Sequence, residues 1–106
     1  MNTNEYLNKH KKIHYLNFYE YRPLAPKIVC EDGFEMSVQV SETHYCSPRI
    51  NDGNYYYKVE VAFPSEQDDL LMPFAEDIND PTGTVYGYVP IDIVDAVMKK
   101  HGGIKE

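Results

Sequence analysis

The densest chemistry in the sequence is the run His44-Tyr45-Cys46-Ser47-Pro48-Arg49. A cysteine beside a histidine can serve nucleophilic catalysis, because an imidazole base raises the thiolate fraction. His44 and Cys46 stand two residues apart, and no local motif supplies an orienting carboxylate or oxyanion donors. The run reads as a loop. Zinc is a second possibility, since His44, Cys46, Cys30 and His101 are ligand types and His10 and His14 have i,i+4 spacing on a candidate helix. The paired short spacings of zinc sites are missing, so no metal and no cofactor are expected. Glu35 and Glu60 fall on polar strand faces, where carboxylates meet water. No phosphate-loop, dinucleotide or zinc-protease motif occurs. The chain is not expected to be an enzyme.

Two other groups of residues suit binding. Between residues 66 and 80 stand Glu66, Asp68, Asp69, Glu76, Asp77 and Asp80, without Lys or Arg. Leu70, Leu71, Met72 and Phe74 lie between the two acidic groups. An acidic rim around an apolar plug fits a basic nucleic-acid channel on another protein. The bland reading is a loop whose apolar residues face its own core. The second group is aromatic, drawn from ten tyrosines. Tyr56, Tyr86 and Tyr88 are placed on exposed strand faces, joining the acidic residues as partner contacts. With Lys58 and Arg49, Tyr56 also forms an alternative site, stacking a base and holding a phosphate.

Elements that must position these residues are legible from periodicity. A helix is expected from Asn4 to Leu16, capped by Asn2, Thr3 or Asn4, with Lys9-His10-Lys11-Lys12 on a solvated face. Arg22-Pro23-Leu24-Ala25-Pro26 must run extended. Ile28-Val29-Cys30 and Phe34 to Ser41 flank Glu31-Asp32-Gly33 as a hairpin, with Phe34, Met36, Val38 and Val40 facing inward. After a loop from Glu42 to Gly53, a third strand is expected over Asn54 to Phe63. Its alternation puts Tyr55, Tyr57, Val59, Val61 and Phe63 on one face and Tyr56, Lys58, Glu60 and Ala62 on the other. A short or kinked helix is expected within Asp68 to Glu76, and a fourth strand over Val85 to Val89. A last helix begins at Pro90, carries the stripe Ile91, Val94, Val97 and Met98, and stops at Gly102-Gly103. The expected class is α+β, a small antiparallel sheet of three to five strands packed by a C-terminal helix and an N-terminal segment.

The 106 residues and 12.3 kDa fit one domain, with residues 1–22 as a mobile or separately packed segment. A core this small leaves room for a homodimer or partner to add stability. The net charge of −7 argues against direct nucleic-acid binding and permits docking to a basic protein. No membrane span or signal peptide is read, and two cysteines make no disulfide framework, so a cytoplasmic location is expected.

Several segments carry a resemblance to small proteins of phages and prophages of Gram-positive bacteria. They are Asp32-Gly33-Phe34-Glu35-Met36-Ser37-Val38-Gln39, His44-Tyr45-Cys46-Ser47-Pro48-Arg49 and Val59-Glu60-Val61-Ala62-Phe63-Pro64-Ser65. Thr84-Val85-Tyr86-Gly87-Tyr88-Val89-Pro90 and His101-Gly102-Gly103-Ile104 complete it. The resemblance runs from about Asp32 to Ile104 and brings no catalytic assignment. It implies an accessory protein that blocks a host defence machine, including an anti-CRISPR protein occupying a nucleic-acid surface of its effector in the bacterial host cytoplasm. The alternatives are a module sequestering a nucleotide signal and, third, a metal- or thiol-dependent enzyme.

Overall fold

The computed structural model describes residues 1–15 and 21–106, with the backbone alone for 13–15 and 21–23. Its architecture is α+β. Helix α1 (Thr3–His10) precedes strands β1 (Lys12–Tyr15) and β2 (Tyr21–Leu24), which pair antiparallel as a two-stranded ribbon. Strands β3 (Ile28–Val29), β4 (Glu35–Gln39), β5 (Lys58–Ala62) and β6 (Val85–Pro90) form an antiparallel sheet in that order. Helix α2 (Ile91–Lys100) follows β6 directly, and a single 3₁₀ turn covers Met72–Phe74.

The β3–β4 hairpin forms as its turn chemistry requires. Gly33 takes φ +94°, and the Asp32 carboxylate accepts the Phe34 N–H at 2.9 Å. Register sets Ile28 opposite Met36, so Phe34, Met36, Val38 and Val40 all turn inward and are buried. Val59 and Val61 on β5 and Val89 on β6 extend that face. Val94, Val97 and Met98 of α2 cover it, as the helical stripe predicts, and Gly102 and Gly103 end the segment at positive φ.

The N-terminal helix is shorter than its expected Asn4–Leu16 span. Asn2 is the cap, in a reciprocal box with Glu5: the Glu5 N–H donates to Asn2 at 2.9 Å and the Asn2 N–H to Glu5 at 3.1 Å. Tyr6 and Leu7 enter the common core, and Thr3 donates to Asp95 of α2 through N–H (2.8 Å) and hydroxyl. The chain turns extended at Lys11. The expected solvated basic face is corrected there: the Lys11 ammonium is half-buried, donating to the carbonyls of Asn51 (3.3 Å) and Gly53 (3.4 Å). These acceptors lie on a loop 40 residues away, so no local propensity signals the stop. Leu16 lies outside the described residues, and of Ile13 only the backbone is described. No helix among the described residues is long and apolar enough to cross a membrane.

Candidate functional site

The acidic segment splits into a buried anchor and an exposed edge. Asp68 was expected on the rim; it is 1% exposed, because its carboxylate is claimed by the fold. It accepts from His101 Nε2 at 2.9 Å, from Lys100 Nζ at 3.1 Å and from the Leu70 N–H at 2.9 Å. His101 Nδ1 donates in turn to Asp32 at 2.7 Å, and the imidazole stacks on Phe34 with centroids 4.0 Å apart. Two carboxylates on two ring nitrogens fit the imidazolium, which carries a proton on each. Burial pushes His101 towards its neutral form, but Asp32 and Asp68 more than reverse this, leaving its pKa above the usual value. Asp68 is driven up by burial and further down by His101 and Lys100, for a net fall. Asp32 falls through its Phe34 N–H contact and then His101. This cluster joins the β3–β4 turn, the acidic segment and the end of α2. Sequence reasoning missed it, since its members stand 33 and 69 residues apart.

Beyond Asp68 the segment does face water. Glu66, Asp69, Glu76, Asp77 and Asp80 are exposed. The backbone of the last three is fixed: the Glu76 N–H donates to Val85 (2.9 Å), Asp77 to the Thr84 hydroxyl (3.0 Å) and Asp80 to Asp77 (3.2 Å). The apolar plug is corrected in part. Leu71 is fully buried and Met72 and Phe74 pack partly on the core, whereas Leu70 stays exposed; Ile78, outside the expected plug, is 66% exposed. A further aromatic joins this edge. Phe63 follows β5, is 48% exposed, and its N–H donates to Thr84, the residue whose hydroxyl holds Asp77. Phe63 has φ +52°, a left-handed conformation that costs a bulky side chain energy. Its exposure went unread because alternation along an ideal strand would have buried it.

Of the three predicted contact tyrosines, only Tyr88 is exposed. Tyr86 is fully buried; its hydroxyl donates to Pro81, and Ala75 bridges it from the edge of the sheet. Tyr56 is 1% exposed. The expected strand begins at Lys58 rather than Asn54, so Tyr55 and Tyr57 turn outward and Tyr56 inward, the reverse of the predicted alternation. Asn4 enforces this by accepting the Tyr56 N–H at 2.8 Å and donating to its carbonyl at 3.1 Å. The Tyr56 hydroxyl donates to Ile50 at 2.7 Å. The alternative ligand set of Arg49, Lys58 and Tyr56 therefore loses its ring. Arg49 instead lies over Tyr45, 5.6 Å from the centroid, and Lys58 faces solvent.

The His44 region assembles a serine–histidine–carboxylate order that spacing did not show. The Ser41 hydroxyl contacts His44 Nδ1, and His44 Nε2 stands 3.9 Å from Glu60, which also accepts the Tyr45 N–H at 3.1 Å. Ser41 is fully buried, so a substrate carbonyl cannot reach its hydroxyl in this conformation. Cys46 is buried too, its thiol directed at the Ser41 carbonyl (3.2 Å), and burial pushes its pKa up, away from thiolate. The contacts brace the loop against β5. Among the described residues no three His, Cys, Asp or Glu side chains gather as a metal site; Cys30 and Cys46 are both unpaired and buried. Comparison with family models, curated proteins and solved structures found no match.

Proposed function

We propose that this protein works by contact, as a phage-type inhibitor whose acidic edge occupies the basic nucleic-acid-binding surface of a host defence protein, a CRISPR effector being the leading case. The observation that carries the reading is the composition and exposure of one edge. From Val59 to Met98 there is no Lys or Arg, and within that span the carboxylates of Glu66, Asp69, Glu76, Asp77 and Asp80 face water. Phe63 and Ile78 stand exposed at the same edge. Charge of one sign steers a basic partner onto the edge, and apolar side chains supply the dewetted anchors that hold it. Phe63 keeps a costly backbone conformation while facing solvent, which favours a role outside folding.

The test reverses charge only where it is exposed, at Asp69, Glu76, Asp77 and Asp80, and leaves Asp68 intact. Displacement of a labelled nucleic acid from the effector is followed by fluorescence anisotropy. Loss of displacement with an unchanged melting temperature is the expected result. Displacement equal to that of the unaltered protein would remove this edge from consideration.

A further inference from the structure

Positive charge is as unevenly placed as negative charge. Residues 1–27 hold five of the ten Lys and Arg and only Glu5 and Glu20 among the acids, a net +3; residues 28–106 carry the balance, −10. Two of these lysines, Lys9 and Lys27, meet Lys105 around a cavity of about 390 Å³ between α1, the approach to β3 and the C-terminal segment. Lys9, His10, Lys27 and Lys105 line it, with Glu106 the one acidic side chain among the described lining residues. Met1, Tyr6, Pro26, Val29 and Ile104 make up the rest of the lining.

Its parts are fastened independently of any ligand. The Tyr6 hydroxyl donates to the Pro26 carbonyl at 2.9 Å, and its ring lies 4.6 Å from that of His10. The Lys105 N–H donates to Val29 at 2.8 Å, while Ile104 bridges Cys30. His10 and Pro26 also line an adjoining cavity of about 450 Å³ that continues past Lys12 and Leu24. Cavities of this size with apolar walls and a few convergent polar groups are what small ligands use.

We infer that this cavity binds a small phosphorylated ligand with a flat apolar body, a nucleotide, its phosphates on Lys9, Lys27 and Lys105 and its base against Tyr6, Val29 and Ile104. A long nucleic acid is disfavoured, because its flanking phosphates would run onto the acidic body. The site shares no residue with the acidic edge, and its occupancy does not depend on the inhibitor reading.

Isothermal titration calorimetry with ATP and with inorganic pyrophosphate tests it on the full chain. ATP is expected to bind, with pyrophosphate weaker by roughly tenfold because it lacks the base. The double variant Lys27→Glu/Lys105→Glu, both exposed positions, is expected to weaken ATP by roughly tenfold or more without changing the melting temperature of the unliganded protein. No heat with ATP at millimolar concentration, equal affinity for pyrophosphate and ATP, or an unaffected double variant would each overturn the proposal. Displacement of nucleic acid from the effector should be indifferent to the lysine variant, which separates this failure from that of the acidic edge.

Discussion

Replacing His101 by Gln should lower stability by an amount that depends on pH, because the imidazolium, not the ring alone, ties the fold together. At pH 6 the ring bridges Asp68 and Asp32. The Asp68 bond is buried and charge-assisted, worth about 2 kcal/mol net. The Asp32 bond is set aside, since half of that side chain meets water. Asp68 keeps Lys100 and the Leu70 N–H in the variant, so no charge is stranded. A loss of about 2 kcal/mol follows, roughly 10 °C in melting temperature for a domain of this size. The sign of the pH effect comes from linkage. His101 has a folded pKa above its ordinary 6.5, so its contribution is complete below pH 6.5 and fades as pH rises through the folded value. Asp32 and Asp68 have lowered pKa values, so theirs is complete above about pH 4 and lost as pH falls through the folded values. The network is therefore strongest between about pH 4 and 6.5. From pH 6.5 upward the decline cannot exceed about 1.4 kcal/mol per pH unit. Urea denaturation of both proteins at pH 6 and pH 8, followed by far-ultraviolet circular dichroism, should show the gap between them narrow at pH 8. Every other residue is common to both proteins and cancels in the difference. A gap that stays constant or widens at pH 8 would refute the argument.

Two further outcomes follow from contacts that cross the chain. Asn4→Ala should cost about 2–4 kcal/mol, since it strips the Tyr56 N–H and C=O of partners in a buried place, and chemical denaturation will measure it; a loss below about 1 kcal/mol would mean water replaces the side chain. Phe63→Val should destabilise by about 1–2 kcal/mol although the position faces solvent, because a β-branched residue resists φ near +52°, while Phe63→Gly should stay within about 1 kcal/mol of the parent; equal melting of the two variants would contradict the strain.

What the sequence determined by itself is whatever rests on near neighbours. Alternation from Phe34 to Val40, Asp32-Gly33 as a turn, the α2 stripe and its glycine stop all appear as read, because each depends on backbone geometry over a few residues. The concentration of carboxylates and absence of Lys and Arg from residue 59 to 98 are likewise fixed in one dimension. Which of those carboxylates reach solvent was decided elsewhere. His101, distant in sequence, takes Asp68 inside, and Asn4 takes Tyr56 inside, reversing an alternation that local pattern supported. Lys11 ends its helix on carbonyls of a distant loop, and the cationic cavity combines residues 6–10, 26–29 and 104–106. A buried polar group must find its partner wherever the folded chain supplies one, and that partner's position along the sequence leaves no periodic mark. Tertiary structure alone therefore separates the surface that can meet a partner from the charges and rings that hold the fold together.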